Sequence, residues 1–321
     1  MRQWFRKHLV TMILVLVLLV GLGLILYPSV SDWWNSFHQS RAIASYVEQV
    51  QQIGDERKDR MLQEAEDYNR RLSVSGLKFK LDDQETQEYE NVLDVTGTGI
   101  MGYIQITSIG VNLPIYHGTD EAVLQVAIGH LAGTSLPVGG TSTHTVVSGH
   151  RGLPSARLFT DLDKLKEGDT FTITVFDETL TYQVDQIRTV EPTDLSNLRI
   201  FPGYDYCTLV TCTPYGVNTH RLLIRGKRIE NIKGAIVVTP DAIRIPSYIV
   251  IPVILIPLLL LTLLGALIYY GFRKPRPTEE QIREWYFSEG PGSRGKHPDA
   301  ETDGKRGELN QHRDNKGASS D

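Results

Sequence analysis

The chain has little cysteine, and its placement argues against a disulfide framework. Its only two cysteines, Cys207 and Cys212, lie five residues apart on one predicted strand. Side chains an odd number of positions apart point to opposite faces of a strand, so a bridge between them would be strained. Cys207 lies within an apolar run and is interpreted as a small buried residue. Cys212 ends that run, where a partly exposed thiolate can act as a nucleophile.

Net charge is also small, −5 over 321 residues, and gives no general case for nucleic-acid binding. Charge is missing altogether from two apolar runs, residues 9–27 and 248–270. Each is long enough to cross about 30 Å of hydrocarbon as a helix. Basic residues flank the outer ends of both runs: Arg2, Arg6, Lys7, Arg273, Lys274 and Arg276. We therefore expect two membrane spans, both termini in the cytoplasm, and residues 31–246 outside the membrane.

A cleaved signal peptide is the alternative interpretation of the first run. Its apolar stretch exceeds the roughly 7 to 15 residues of a typical signal-peptide core, and no small-x-small site follows Tyr27 and Pro28. A membrane anchor is therefore the preferred interpretation.

Between the two runs the apolar pattern changes once. Residues 32–72 have helical spacing, with Gly54 as a break between two helices. We expect this stripe to pack on the rest of the domain rather than to bind a partner. From Gly102 the chain shows short β-type runs separated by glycine, proline and aspartate, with a short helix at residues 121–128. This pattern predicts a mainly β fold, a closed or nearly closed barrel with short helices.

One histidine stands out as a partner for Cys212. His150 follows a β-branched run and lies in the sequence Gly149-His-Arg-Gly, whose glycines allow the backbone to turn and present the ring at a surface. A single histidine is more often structural, and that is the interpretation of His117, His130 and His144.

Two arginines follow Cys212 on the next apolar run. Arg221 and Arg225 are an even number of residues apart and should share one strand face, with Leu222 and Ile224 on the other. A permanently charged guanidinium suits a thiolate or the oxyanion of an acyl intermediate. The residue pattern alone does not choose between the two arginines.

Four sequence blocks then carry a family resemblance, over about residues 102–229. They are Gly149-His-Arg-Gly, Leu158-Phe-Thr-Asp-Leu-Asp-Lys-Leu165, Thr208-Leu-Val-Thr-Cys-Thr-Pro-Tyr215 and His220-Arg-Leu-Leu-Ile-Arg-Gly226. In this order they resemble the class C, pilin-polymerising sortases of Gram-positive bacteria. The two apolar runs also fit the topology of that family.

The resemblance implies a sortase-type barrel and a set of roles. Cys212 matches the family's nucleophile, His150 its acid/base histidine and Arg221 its catalytic arginine. The implied reaction cleaves a Leu-Pro-x-Thr-Gly-like signal between threonine and glycine, forms a thioacyl enzyme and transfers the acyl group to a pilin lysine. No metal or cofactor is needed. Further candidates for substrate contacts are Thr211, Thr213 and Arg225.

One feature departs from the family pattern. Class C sortases commonly carry an Asp-Pro-aromatic lid over the cysteine, but no proline occurs between Pro28 and Pro114. The corresponding region is Lys78-Phe-Lys-Leu-Asp-Asp-Gln84. Either the lid is absent, which we favour, or it is built differently, with Phe79 or Asp82 near the site.

The expected organisation follows the chain from its first residue. Residues 1–8 are a cytoplasmic N-terminus, 9–27 a transmembrane helix, 31–98 an extracellular helical or lid-like region, 99–232 the catalytic barrel, 233–247 a linker, 248–270 a second transmembrane helix and 271–321 a polar, disordered cytoplasmic tail. The expected partners are pilin or surface-protein substrates and membrane lipid. A housekeeping sortase with a cell-wall acceptor and a noncatalytic pilin-binding scaffold remain as alternatives. The oligomeric state is open.

Overall fold

The computed structural model describes residues 2–231, residues 256, 257, 260 and 265, and residues 279–288. The helices are α1 (Arg2–Gln52), α2 (Asp55–Ser75), α3 (Asp83–Asn91), α4 (Glu121–Leu124) and α5 (Glu279–Ser288). The strands are β1 (Ile100–Ile106), β2 (Val111–His117), β3 (Ile128–His130), β4 (Thr143–Ser148), β5 (Thr170–Val175), β6 (Glu178–Val190), β7 (Asp205–Thr213) and β8 (His220–Ile229). Helix α5 belongs to a separate unit of the chain.

The eight strands form a closed barrel in the order β1-β2-β3-β4-β7-β8-β6-β5. Six of the neighbouring pairs are antiparallel, and two, β2 with β3 and β4 with β7, are parallel. A parallel pair needs a long connection. Between β4 and β7 that connection contains β5 and β6, so two segments far apart in sequence become neighbours. The expected mainly β barrel is confirmed.

The barrel interior is filled by side chains that alternate along the strands. The largest fully buried ones include Tyr182, Phe159, Phe171, Met101, Ile104, Ile106, Ile115 and Ile128. On β7 and β8, Cys207, Leu209, Leu222 and Ile224 belong to this core. The alternate residues of the same strands face outward, where Val146, Leu198 and Leu223 form a separate apolar cluster. One side of these strands therefore faces the barrel core, and the other faces outward.

Helix α1 runs without interruption through Pro28 and packs its C-terminal half on the barrel. Asn35 donates to the carbonyl of Ser155 (2.8 Å), and the hydroxyl of Tyr46 donates to the carbonyl of Met101 (3.2 Å). The helical stripe therefore packs on the domain, as expected. The segment Ile13–Gln52 is, by length and composition, apolar enough at its start to cross a membrane. The break expected at Gly54 separates α1 from α2.

Three local expectations need correction. The helix expected at residues 121–128 ends at Leu124, because Ile128 pairs with Ile115 and starts β3. Helix α3 was not predicted, although Asp82 and Glu85 form a capping box at its start. Within the tail expected to be disordered, residues 279–288 are helical. The expected second span, apart from four single residues, and the linker beyond residue 231 lie outside the described residues.

Candidate functional site

Cys212 and Arg221 face each other across two neighbouring strands. Cys212 is the second-last residue of β7, Arg221 is the second residue of β8, and the two are directly opposite in the antiparallel register. Side chains in such a pair have Cβ atoms about 4.5–5.5 Å apart and point to the same face. The shared face is the outer one, because Cys207, Leu209, Leu222 and other residues of alternate parity fill the core. Cys212 is half-buried and is a free thiol.

His150 reaches the same row from the other side of β7. Strand β4 pairs with β7 in parallel, with Ser148 opposite Val210. Past the last strand residue, the N–H of Gly149 still donates to the carbonyl of Val210 (3.1 Å). When this register is continued by two residues on each strand, His150 comes to lie opposite Cys212. Neighbouring strands lie about 4.8 Å apart. His150, Cys212 and Arg221 thus form a row across three adjacent strands.

The turn that carries His150 is held by backbone contacts. The hydroxyl of Thr211, which is buried, donates to the carbonyl of Gly149 (2.8 Å). A Cβ on Gly149 would lie 2.8 Å from Ile128 and 2.9 Å from the ring of Phe159, so only glycine lets the chain pass so close to the core. Thr211, expected to contact substrate, instead points inward and fixes the position of the histidine turn.

A carboxylate, that of Glu121, lies near the ring of His150. Its Nε2 lies 3.6 Å from a carboxylate oxygen of Glu121, in the first turn of α4. This distance is beyond a hydrogen bond, and Nε2 is buried without a hydrogen-bond partner. Glu121 was not identified from the sequence, where it appeared only as the start of a short helix.

Arg151, the next residue, braces the loop around the row. Its guanidinium pairs with Asp163 and donates to the hydroxyl of Thr213 (3.3 Å). It also lies 5.8 Å from the centre of the Tyr215 ring. Thr213 is therefore held in place from the β4 side. The Gly-His-Arg-Gly motif thus supplies both His150 and a cation that links β4 to the loop after β7.

The two arginines of β8 have different surroundings. Arg221 makes two bonds, to the carbonyls of Asn218 (3.3 Å) and His220 (3.2 Å) in its own loop. Arg225 forms a two-pronged ion pair with Asp185 (3.0 and 2.8 Å) and stacks 4.2 Å over the ring of Tyr206. The guanidinium of Arg225 is therefore held within the protein. Among the residues that the structure describes, that of Arg221 hydrogen-bonds only backbone carbonyls.

A groove leads along the outer face of the sheet to Arg221. It has a volume of about 250 Å³, and its floor includes Val146, Val210 and Leu223. One wall is formed by the segment after β6, which includes Glu191 and Leu198. Most of the lining is apolar, and its charged side chains are Arg221, Glu191 and Asp194. Such a groove suits an extended peptide with apolar side chains.

Cys207 and three of the other histidines, His117, His130 and His144, have structural roles. Burial lowers the pKa of both His130 and His144 to about 4. His130 bonds the carbonyl of Ser135 (2.9 Å), and His144 bonds the hydroxyl of Thr208 (2.7 Å). Burial raises the pKa of the Cys207 thiol well above its ordinary value.

His117, half-buried, completes this set. Both of its ring nitrogens lie beside backbone carbonyls, Nδ1 at Gly99 (2.9 Å) and Nε2 at Val92 (2.7 Å). None of these four side chains belongs to the row that contains Cys212.

The segment between α2 and α3 lies where family members carry a lid, which the sequence predicts to be absent here or built differently. Asp82 caps α3, and Phe79 is partly exposed where the chain passes Gly133. Leu77 packs against the outer apolar cluster of Val146, Leu198 and Leu223. The segment therefore reaches the outer apolar cluster through Leu77. The absence of a lid, and the alternative in which Phe79 or Asp82 forms one, both stay predictions.

Comparisons with known proteins give the family. The sortase domain model matches residues 104–229. Sortase C1 from Streptococcus agalactiae is 55% identical, covers 60% of this chain and 100% of its own, and superposes with a TM-score of 0.59. Sortase C from Streptococcus pneumoniae is 45% identical over 60% of this chain and 97% of its own, with a TM-score of 0.53.

The curated relatives are more distant. Sortase D from Bacillus subtilis is 28% identical over 131 residues, which is 40% of this chain. The chain spans 63% and 47% of the lengths of the two curated relatives that it matches. The fold, the site geometry and the similarity to solved class C structures agree. The chain belongs to the sortase family, in its class C branch.

Proposed function

We propose that the protein is a membrane-anchored cysteine transpeptidase that joins pilin subunits. The observation that carries the proposal is the row of His150, Cys212 and Arg221 across β4, β7 and β8, at the end of an apolar groove. Members of the sortase family are transpeptidases. The structure of Streptococcus pneumoniae sortase C is described as bearing on pilin substrate specificity, which supports a pilin as the substrate class.

The first half-reaction begins at Cys212. Its thiolate attacks the threonine carbonyl of a Leu-Pro-x-Thr-Gly-like signal, and the carbonyl oxygen becomes an oxyanion. Arg221, the cation opposite Cys212, stabilises this charge. When the Thr–Gly bond breaks, His150 as imidazolium gives its proton to the leaving glycine amine. A thioester between threonine and Cys212 remains.

The second half-reaction runs through the same groups in reverse. A lysine amine of another pilin attacks the thioester carbon, and neutral His150 takes a proton from that amine. Arg221 again faces the oxyanion. The tetrahedral intermediate expels the Cys212 thiolate and leaves an isopeptide bond.

We further propose that α1 anchors the enzyme with its barrel outside the membrane. The apolar part of α1 supports one span. The second span expected at residues 248–270 and the resulting two-pass topology stay predictions. An external enzyme with a nearly cysteine-free domain and one reactive thiol is consistent with this placement.

The proposal is tested by incubating the full-length protein, in detergent or nanodiscs, with a purified pilin that carries a sorting signal. We expect covalent ladders joined by isopeptide bonds. Cys212→Ala should abolish them, while the matched control Cys207→Ala should retain them, because Cys207 is a buried core residue. Ladders at the wild-type level from Cys212→Ala would contradict the proposal. Transfer only to small cell-wall amines would indicate a housekeeping sortase instead.

A further inference from the structure

The loop between β7 and β8 exposes two apolar side chains to solvent. Residues 214–219 read Pro-Tyr-Gly-Val-Asn-Thr and contain no charge. Within this loop Tyr215 is 61% exposed and Val217 is 65% exposed. Exposing two large apolar side chains on one short uncharged loop is costly in water, which suggests that another surface covers them.

The strand directions place this loop at one end of the barrel. The turn between β5 and β6 is tied to α1, because the N–H of Phe176 donates to the hydroxyl of Tyr46 (2.8 Å). Strand β6 runs away from that turn and pairs antiparallel with β8, with Val190 opposite Arg221. Strand β8 therefore begins at the opposite end. The β7–β8 loop lies at the end of the barrel farthest from Tyr46.

Just after its apolar run, helix α1 contacts the barrel at this same end. The run ends at Tyr27, and five residues later Asp32 accepts a hydrogen bond from the N–H of Arg157 (2.7 Å). Five helical residues rise about 7.5 Å, whereas Tyr46 is about 21 Å beyond Asp32 along the helix. Residues 155–157, held by α1, therefore lie close to the end of the apolar run.

Short contacts connect those residues to the exposed loop. Ser155 is three positions after Gly152, a span of at most about 11 Å. A Cβ on Gly152 would lie 2.9 Å from the ring of Tyr215, so this ring rests directly on the Gly152 backbone. Arg151 lies beside the same ring. Tyr215 therefore lies near the part of α1 that directly follows the apolar run.

The helix itself shows aromatic side chains at this level. Tyr27 is 57% exposed and Trp34 is 57% exposed, on either side of the point where the apolar run ends. Tyrosine and tryptophan are enriched where membrane helices cross the lipid headgroups. The hydrogen bonds of Asp32 and Asn35 to residues 155–157 place this part of α1 at the same end of the barrel as the β7–β8 loop.

We propose that the β7–β8 loop rests on the lipid bilayer, with Tyr215 and Val217 in the headgroup–acyl boundary. This inference rests on the membrane anchor in the proposed function. It gives the enzyme a second contact with the membrane besides α1 and fixes the orientation of the barrel. Cys212, three residues before Tyr215, then lies within about 11 Å of the residue that enters the bilayer boundary. Arg221, which lines the groove and is paired with Cys212, lies at the same end of the barrel.

The test uses the full-length chain in lipid nanodiscs, with Cys212→Ala as the parent so that the fully buried Cys207 is the only native thiol. Single cysteines at Tyr215 and at Val217 carry an environment-sensitive NBD label. Leu18→Cys, within the apolar run, is the positive control, and Glu178→Cys, in the turn opposite the loop, is the negative control. The unsubstituted parent should take up no label.

We expect blue-shifted NBD emission at both loop positions and strong quenching by lipids that carry a quencher near the headgroup. The label at Leu18 should be quenched best by deep acyl-chain quenchers, and the label at Glu178 should not be quenched. Quenching at Leu18 without quenching at Tyr215 and Val217 would overturn the inference and leave the anchor intact. Failure of quenching at Leu18 would overturn both the membrane anchor and the seating of the loop on lipid. Protection of the loop labels only when a pilin is added would identify a protein partner and refute lipid seating.

Discussion

The pair Arg221 and Arg225 offers a matched perturbation on one strand face. Removing a donor that stabilises an oxyanion typically lowers turnover by about 10²–10³-fold, or roughly 3–4 kcal/mol of transition-state stabilisation. We expect this loss for Arg221→Ala in kcat/KM. Its free energy of unfolding should change by less than about 0.5 kcal/mol, because its side chain bonds only to loop carbonyls.

Arg225→Ala should show the opposite profile. The substitution removes a two-pronged ion pair with Asp185, whose members are 15% and 28% exposed, and a stacking contact with Tyr206. Hydrogen bonds to charged groups and a cation–π contact together contribute about 2–3 kcal/mol at such sites. We expect that loss in the free energy of unfolding, with kcat/KM of the folded protein within a few-fold of wild type.

Both variants are assayed with a fluorogenic sorting peptide, and their stabilities are measured by urea denaturation followed by circular dichroism. Arg221→Lys adds a graded control, since it keeps the charge and loses the forked geometry. Equal losses of turnover in the two alanine variants would refute the assignment of distinct roles. A large loss of turnover confined to Arg225→Ala would reverse it.

Three further predictions concern stability and positioning. His130 and His144 have folded pKa values near 4, below their ordinary 6.5, so the unfolded chain binds more protons and stability falls as pH drops from about 6.5 to 4. At pH 5 each of these two histidines should lower the free energy of unfolding by about 2 kcal/mol, as measured by urea denaturation. A free energy of unfolding that does not change with pH would contradict this. Thr211→Val should lower kcat by displacing the histidine turn, while Thr211→Ser, which keeps the hydroxyl, should retain it; equal activities would refute the positioning role. Tyr46→Phe should destabilise the domain by about 1–3 kcal/mol by leaving buried backbone groups unpaired; the exposed control Tyr204→Phe should be neutral, and equal melting temperatures would contradict the docking of α1.

The barrel was largely predictable because strand alternation and turn residues are local signals. The runs at residues 102–106 and 221–224 lie inside β1 and β8. Strand β3 was missed because it has only three residues and exists through its pairing with β2 and β4. Helix α3 was missed although Asp82 and Glu85 carried a readable capping signal.

The site was predictable in its parts but not in its arrangement. The types of residue and the resemblance pointed to Cys212, His150 and Arg221. Their alignment depends on the parallel pairing of β4 with β7, which no spacing between positions 150 and 212 determines. The different surroundings of Arg221 and Arg225 depend on the ion pair of Arg225 with Asp185, a residue 40 positions before it in the sequence.

The neighbours of the row were invisible in the sequence for the same reason. Glu121 contacts His150 only because α4 and the turn after β4 meet at one end of the barrel. The inward direction of Thr211 follows from the register of β7, which also turns Cys212 outward.

The central claim is that Cys212 forms the acyl intermediate with help from His150 and Arg221. The most direct measurement is intact-protein mass spectrometry of the full-length enzyme, quenched in acid after mixing with a Leu-Pro-x-Thr-Gly peptide in the absence of an acceptor amine. The account predicts a mass increase equal to the peptide up to threonine, mapped to Cys212, absent in Cys212→Ala and strongly reduced in His150→Ala and Arg221→Ala. An adduct on another residue, or cleavage that persists in Cys212→Ala, would contradict it.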